Sequence, residues 1–397
     1  MTDEPAPQTA SSIAVFSNPR VRAGIMQGLL VLVLAWLTYI VYQNTSANLA
    51  KLNKGFGFDF LKQTSGFDLL QSLVPYNSSS SYQQAIIAGL LNTLLVAAFG
   101  IVFATVVGFV AGVMRLSKNW LVSSVATVYI ETVRNIPLLL QMFIWYALVL
   151  KPLPEPKQAY QWFSSIFISN KGVFLPAPQF GSGALLALIM LGIAVVAALL
   201  LRRWAKRRQE RSGQQFPHFA IGATLVLAAP VAGMVLAGWP LTFDYPVLGT
   251  GMIKNFKGGF TIYPEFLALL TALSIYTGAF IAEIVRAGVL AVSHGQTEAS
   301  QALGLRPGHA LRLVVVPQAL RVIIPPLTSQ YLNLIKNSSL AVAIGYPDLV
   351  YAGGTVMNQS GRAIEVVLIW MVIYLGLSLL TSLFMNWYNA RMKLVER

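Results

Sequence analysis

Eight stretches of this chain approach or exceed the ~20 apolar residues that an α-helix needs to cross a bilayer, and that leaves few folds open. They fall at about 23–42, 86–113, 121–150, 183–201, 219–239, 263–290, 314–335 and 364–387. A soluble globule carries about 25% charged residues. Here 11% of 397 residues are charged, 56% are hydrophobic and the mean hydropathy is +0.64. The expected fold is an all-α integral membrane protein with about eight transmembrane helices. The third span is the weakest, because Pro137 interrupts it and Ile136–Leu150 is short alone. It is read as one long kinked or tilted segment from Leu121. The first run, Gly24–Tyr42, is too long for a signal sequence and has no small-residue cleavage site, so it reads as a true span.

Charge then gives sidedness. The net charge is +14, and in such a chain arginine and lysine mark topology rather than nucleic-acid binding. One set of connecting segments holds Arg20 and Arg22, Arg115 and Lys118, the run Arg202, Arg203, Lys206, Arg207, Arg208 and Arg211, then Arg306 and Arg312, and finally Arg391, Lys393 and Arg397. The opposite set holds mainly lysines, balanced by Asp59, Asp68, Asp244 and Asp348, with Arg362 as its arginine. Both termini are therefore expected in the cytoplasm. The tail up to Asn18 is rich in Pro, Ser and Thr and reads as disordered. The basic run 201–211 suits anionic lipid, with contact to a cytoplasmic partner as the alternative.

Several chemistries are excluded. There is no cysteine, and His218, His294 and His309 lie far apart without metal-ligand spacing. No HExxH and no Ser–His or Cys–His set points to an enzyme. No GxxxxGK[ST] loop is present, so the chain cannot hydrolyse ATP by that chemistry. No internal repeat marks it as a secondary transporter; "YIETVRNIP" and "FIAEIVRAG" are too short an echo. Intramembrane Glu and Arg still permit an ion-driven transporter as the alternative reading.

One polar stretch, "TEASQALGLRPGHALRLVVVP" from Thr297 to Pro317, lies between two spans on the arginine-rich side. Thr297–Leu303 suits a short helix. Gly304 sits where a left-handed cap would end it, and Arg306–Gly308 is turn chemistry. The result is a helix–turn–helix at the membrane surface, entering the bilayer at Pro317. The small residues Ala299, Ser300 and Ala302 would let another backbone approach.

This stretch resembles the EAA signature of bacterial ABC importer permeases: Glu298-Ala299-Ser300, three residues, Gly304, nine residues, Val314-x-Val316 and Pro317. Ser300 for alanine and two valines for isoleucine and leucine are its departures. "GLLNTLLVA" (Gly89–Ala97), "ETVRNIPLLLQMF" (Glu131–Phe143), "AEIVRAGVLAVSHGQTEA" (Ala282–Ala299) and "PPLTSQYLNLIKNSSLAVAIG" (Pro325–Gly345) look like the polar amino-acid (His/Glu/Gln/Arg) permeases. The eight-span layout is similar to the larger, Q-type permease of general L-amino acid systems of the Aap/Bzt type.

The resemblance implies a type I importer core of five helices in a bacterial inner membrane. It divides the chain into a tail (1–22), an extra helix with an outer loop (23–84), the first part of the core (85–150), an insertion with two extra helices (151–262) and the second part of the core (263–397). It implies no cofactor on this chain, with ATP and Mg held by a partner ATPase. The implied complex has two ATPase copies, a second homologous permease and a periplasmic amino-acid-binding protein. The implied coupling residues are Glu298, Ala299, Ser300, Ala302, Leu303, Gly304 and Pro317.

Polar groups inside spans are costly unless paired or facing a cavity. Glu131 with Arg134, and Glu283 with Arg286, are i,i+3 pairs expected to neutralise each other. An amino-acid zwitterion needs donors for its carboxylate and acceptors for its ammonium. Asn92, Arg134, Gln141, Asn333 and Ser338 are the side chains expected along its path, with interhelical hydrogen bonding as the alternative role. Pro325 and Pro326 are expected to break the seventh span and free carbonyls there.

Overall fold

The computed structural model describes residues 19–51, 56–181, 183–239, 241–249 and 255–392. The expected disorder up to Asn18 lies outside the described residues. Among the described residues, seven helices are long and apolar enough to cross a membrane, and a bent pair makes eight.

Helix α1 spans Pro19–Lys51, so the tail ends before residue 22, and its apolar window is unburied. Helix α2, Tyr82–Arg115, opens on a capping box in which the Ser81 side chain accepts from the Gln84 backbone and Gln84 accepts from the Ser81 backbone. One face of α2 is small, and α7 (Pro264–Leu290) lies against it. A Cβ on Gly112 would stand 2.7 Å from the Ala282 carbonyl oxygen. Backbones this close gain packing that larger side chains would prevent.

The third span is two helices rather than one kinked one. Helix α3 (Trp120–Asn135) and helix α4 (Leu138–Phe143, continuing as π-helix through Leu150) meet at 107°. Proline disfavours the helical conformation of the residue before it. Ile136 is accordingly extended, at φ −94° and ψ 125°.

The insertion contains strands as well as its two helices. Strands β1 (Tyr160–Trp162), β2 (Ile166–Ser169), β3 (Gly172–Leu175) and β8 (Phe260–Ile262) form an antiparallel sheet leading into α7. Strands β4 (Ala177–Phe180) and β5 (Leu241–Asp244) pair at the feet of a helical hairpin, as β6 (Val247–Leu248) and β7 (Phe256–Lys257) do in the last loop. In that hairpin, α5 (Ala184–Ser212) and α6 (His218–Leu236) lie side by side. Helix α5 outruns the predicted 183–201, because the Arg- and Lys-rich stretch is itself good helix former. It ends on Gly213 in the left-handed conformation.

After α7 comes α8 (His294–Ala302). Then α9 (Pro307–Ala310) passes through a π-helical stretch, Leu311–Val315, into α10 (Val316–Asn337). Pro325 and Pro326 do not break α10. Their fixed φ is itself helical, and Ile323, Ile324 and Leu327 anchor that turn in the core. The change comes later, in a 3₁₀ turn at Ser338–Ile344 closed by Gly345. Helices α11 (Leu349–Ser360) and α12 (Ala363–Met392) complete the fold. The buried core lies where α2, α7 and α10 meet, around Ala104, Ile281, Val285, Ile323 and Leu334.

Candidate functional site

The loop between α7 and α10 folds as its sequence demands. Helix α8 stops where the Leu303 N–H donates to the Ala299 carbonyl and the Gly304 N–H to that of Gln301. Gly304 has φ +74°, which L side chains rarely adopt. Glu298, Ala299, Ala302 and Leu303 are exposed, Leu303 at 82%. Ser300 turns inward instead: it is buried, and its hydroxyl donates to the Thr297 carbonyl at 2.7 Å. It therefore closes the loop rather than contributing to its outer face. Gln318 donates to Gln296 at 3.2 Å and ties α8 to α10. Pro317 sits half-buried in the first turn of α10, just past the π stretch.

An ion cluster joins α2, α3 and α7, and spacing alone assigned only one of its pairs. Arg115, closing α2, reaches Glu131 of α3 at 3.0 Å and Glu283 of α7 at 2.6 Å. Arg286 pairs with Glu283 at 2.6 Å, as expected. The pair expected between Glu131 and Arg134 is not made, because Glu131 meets Arg115. Arg134 lies over the Phe280 ring, 5.1 Å from its centre. Helices α2, α3 and α7 are thus pinned together by Arg115, whose two partners on other helices carry no spacing signal in the sequence.

The amides of the predicted path divide into two groups. Asn92 is fully buried, and its Nδ2 donates to the carbonyls of Gln71 at 2.8 Å and Pro347 at 2.9 Å. Gln141 donates to the carbonyls of Val133 and Ile136, both at 2.9 Å, and so caps α3 at the elbow. Ser338 is buried and donates to the Ile335 carbonyl at 2.7 Å. These three hold the fold, with their donors committed to backbone. Asn333 instead lines a cavity of about 270 Å³ between α7 and α10, with Tyr276, Thr277, Phe280, Gln330 and Asn337. Arg134 borders it through Phe280. Gln330, Asn333 and Asn337 stand at i, i+3 and i+7, one polar stripe on a helix face. That periodicity was available to reveal Gln330; Tyr276 and Thr277 needed the packing.

The lining offers amide donors and acceptors, two hydroxyls and aromatic walls. Such a set can orient a small zwitterion and has no nucleophile or base arranged for chemistry.

A polar cavity between two apolar spans and a polar helix in the loop joining them fit a membrane transport component. The family described as binding-protein-dependent transport system inner membrane component matches residues 213–394. The general L-amino acid transport system permease protein AapQ of Rhizobium johnstonii is 51% identical, over 96% of this chain and 94% of that one. The putative amino-acid ABC transporter permease protein YhdX of Escherichia coli is 48% identical, over 96% and 97%. The permease BztB of a glutamate/glutamine/aspartate/asparagine transport system of Rhodobacter capsulatus is 44% identical, over 93% and 92%. The chain belongs to the amino-acid ABC transporter permeases, inner membrane proteins. It is a permease subunit, as its relatives are, and the ion-driven alternative falls with that assignment.

Proposed function

We propose that this chain forms half of the translocation path of an ATP-driven importer for a broad range of L-amino acids. The other half is a second, homologous permease. Two copies of a cytoplasmic ATPase, which hold the ATP and Mg, dock on α8, and a periplasmic binding protein delivers substrate at the opposite end. Both termini then lie in the cytoplasm. The relatives' names support the substrate class, since AapQ is described as serving general L-amino acids.

The observation that carries the coupling reading is α8 itself. It is a nine-residue helix with exposed Glu298, Ala299, Ala302 and Leu303, ended by a left-handed glycine. The chain reaches α8 from α7, whose Glu283 binds Arg115 of α2, and Arg115 in turn binds Glu131 of α3. Substrate would pass the cavity at Asn333, with Arg134 near enough to attract its carboxylate.

The test is uptake of a labelled L-amino acid panel into proteoliposomes holding the complex, with binding protein supplied. Wild type is expected to transport only with ATP. Gly304→Asp, in a complex that still assembles, is expected to abolish uptake. Transport that needs no ATP, or that ignores the charge at Gly304, would refute the coupling role.

A further inference from the structure

The inserted hairpin carries a surface that the transport path does not use. Helices α5 and α6 approach through small residues: a Cβ on Gly222 would lie 3.3 Å from that of Ala198. Leu199 and Phe219 rise beside this floor, 54% and 82% exposed. Between them runs a groove of about 550 Å³, aliphatic and aromatic along its length. At one end the lining changes to Arg202 and His218.

The fold fixes which end this is. Strands β4 and β5 tie the other ends of the hairpin together, and the Gly259 N–H donates to Asp244 of β5 at 3.0 Å, next to the sheet that leads into α7. The turn at 213–217 therefore lies at the far end, where α7 finishes and α8 begins. Arg202 there opens the basic run, whose acid, Glu210, stands 3.9 Å from Lys206. Arg208 lies over Trp204, 5.3 Å from the ring centre, and Phe216 packs edge-on against the same indole. Tryptophan and arginine stacked in this way are typical of the headgroup boundary.

An apolar groove at bilayer depth that opens onto surplus positive charge fits a molecule with a hydrocarbon tail and an anionic head. We propose that the α5–α6 groove binds an anionic phospholipid, with one acyl chain along Leu199 and Phe219 and its phosphate between Arg202 and His218. A neutral lipid would fill the groove and leave the basic end unanswered. Contact of the same arginines with the ATPase is the competing occupant.

Native mass spectrometry of the intact complex tests this, with phosphatidylglycerol or phosphatidylcholine of identical chains added to the detergent. Wild type is expected to retain phosphatidylglycerol at least about fivefold better, the discrimination of roughly one surface cation. The double variant Arg202→Gln with His218→Gln should lose that preference, and Arg202→Lys should keep it. Ala223→Leu, which fills the groove, should lower retention of both lipids. All variants should keep their full subunit complement. Equal retention of the two lipids by wild type overturns the proposal, as does a preference that survives the double variant. Loss of ATPase subunits from the double variant, with lipid retention unchanged, would assign the basic end to the ATPase instead.

Discussion

Single side chains in this permease are often held by several elements at once, and that sets what their loss should cost. Asp348 caps α11, its Oδ1 accepting from the Tyr351 N–H at 2.8 Å. Burial pushes its carboxyl up from the usual carboxylate range to about 7, against the pull of the capping N–H groups. The folded protein therefore holds a proton that the unfolded chain releases over the window between those values. Stability should fall as pH rises through that window and level off above it. Asn caps a helix as well as Asp, so Asp348→Asn should flatten the profile without loosening α11. Melting temperatures in detergent between about pH 5 and 8 read this directly; an unchanged slope in the variant would sink the idea. Glu283 is the second case. Glu283→Gln leaves Arg115 and Arg286 without their shared carboxylate and should cost about 1–2 kcal/mol, visible as a lowered unfolding midpoint. The Glu283–Arg286 pair was legible from i,i+3 spacing. The role of Arg115 was not, because its partners lie on two other helices.

At the scale of elements, the elbow between α3 and α4 shows how a proline's effect depends on its surroundings. Pro137 turns the chain by 107°, and the Gln141 amide seals the two carbonyls opened there. Pro325 and Pro326 in α10 turn nothing, because the residues around them are packed into the core. Gln141→Leu should leave the carbonyls of Val133 and Ile136 unsatisfied, at about 1–3 kcal/mol. Hydrogen exchange around 133–137 should then rise while the KM for uptake stays put. A raised KM with unchanged exchange would return Gln141 to the substrate path. The end of α8 at its glycine was readable, since a left-handed cap is a local event, whereas the helix begins at His294, three residues before the expected Thr297. The inward turn of Ser300 was not, because it depends on how α8 meets the start of α10.

Across the described residues, much of the apolar surface of α1, α5, α6 and α12 stays exposed, as a lipid surround requires. A polar lining gathers along Gln330, Asn333 and Asn337 of α10, opposite the buried Thr277 of α7, with Asn333 itself exposed. Asn333→Ala and Gln330→Ala should each raise the KM of ATP-driven uptake by about tenfold, the value of one lost polar contact. An unaltered KM in both would place the path elsewhere. The sequence by itself determined the apolar spans other than the broken third one, the polar loop with its glycine turn, and membership of the permease family. These depend on hydrophobicity over some twenty residues and on backbone freedom at one position, both local properties. Tertiary structure decided which amides are spent on backbone carbonyls and which line a cavity, which acid Arg115 meets, and where a proline bends its helix. Those outcomes depend on which faces of distant helices come together, and one helix cannot specify its neighbour's face alone.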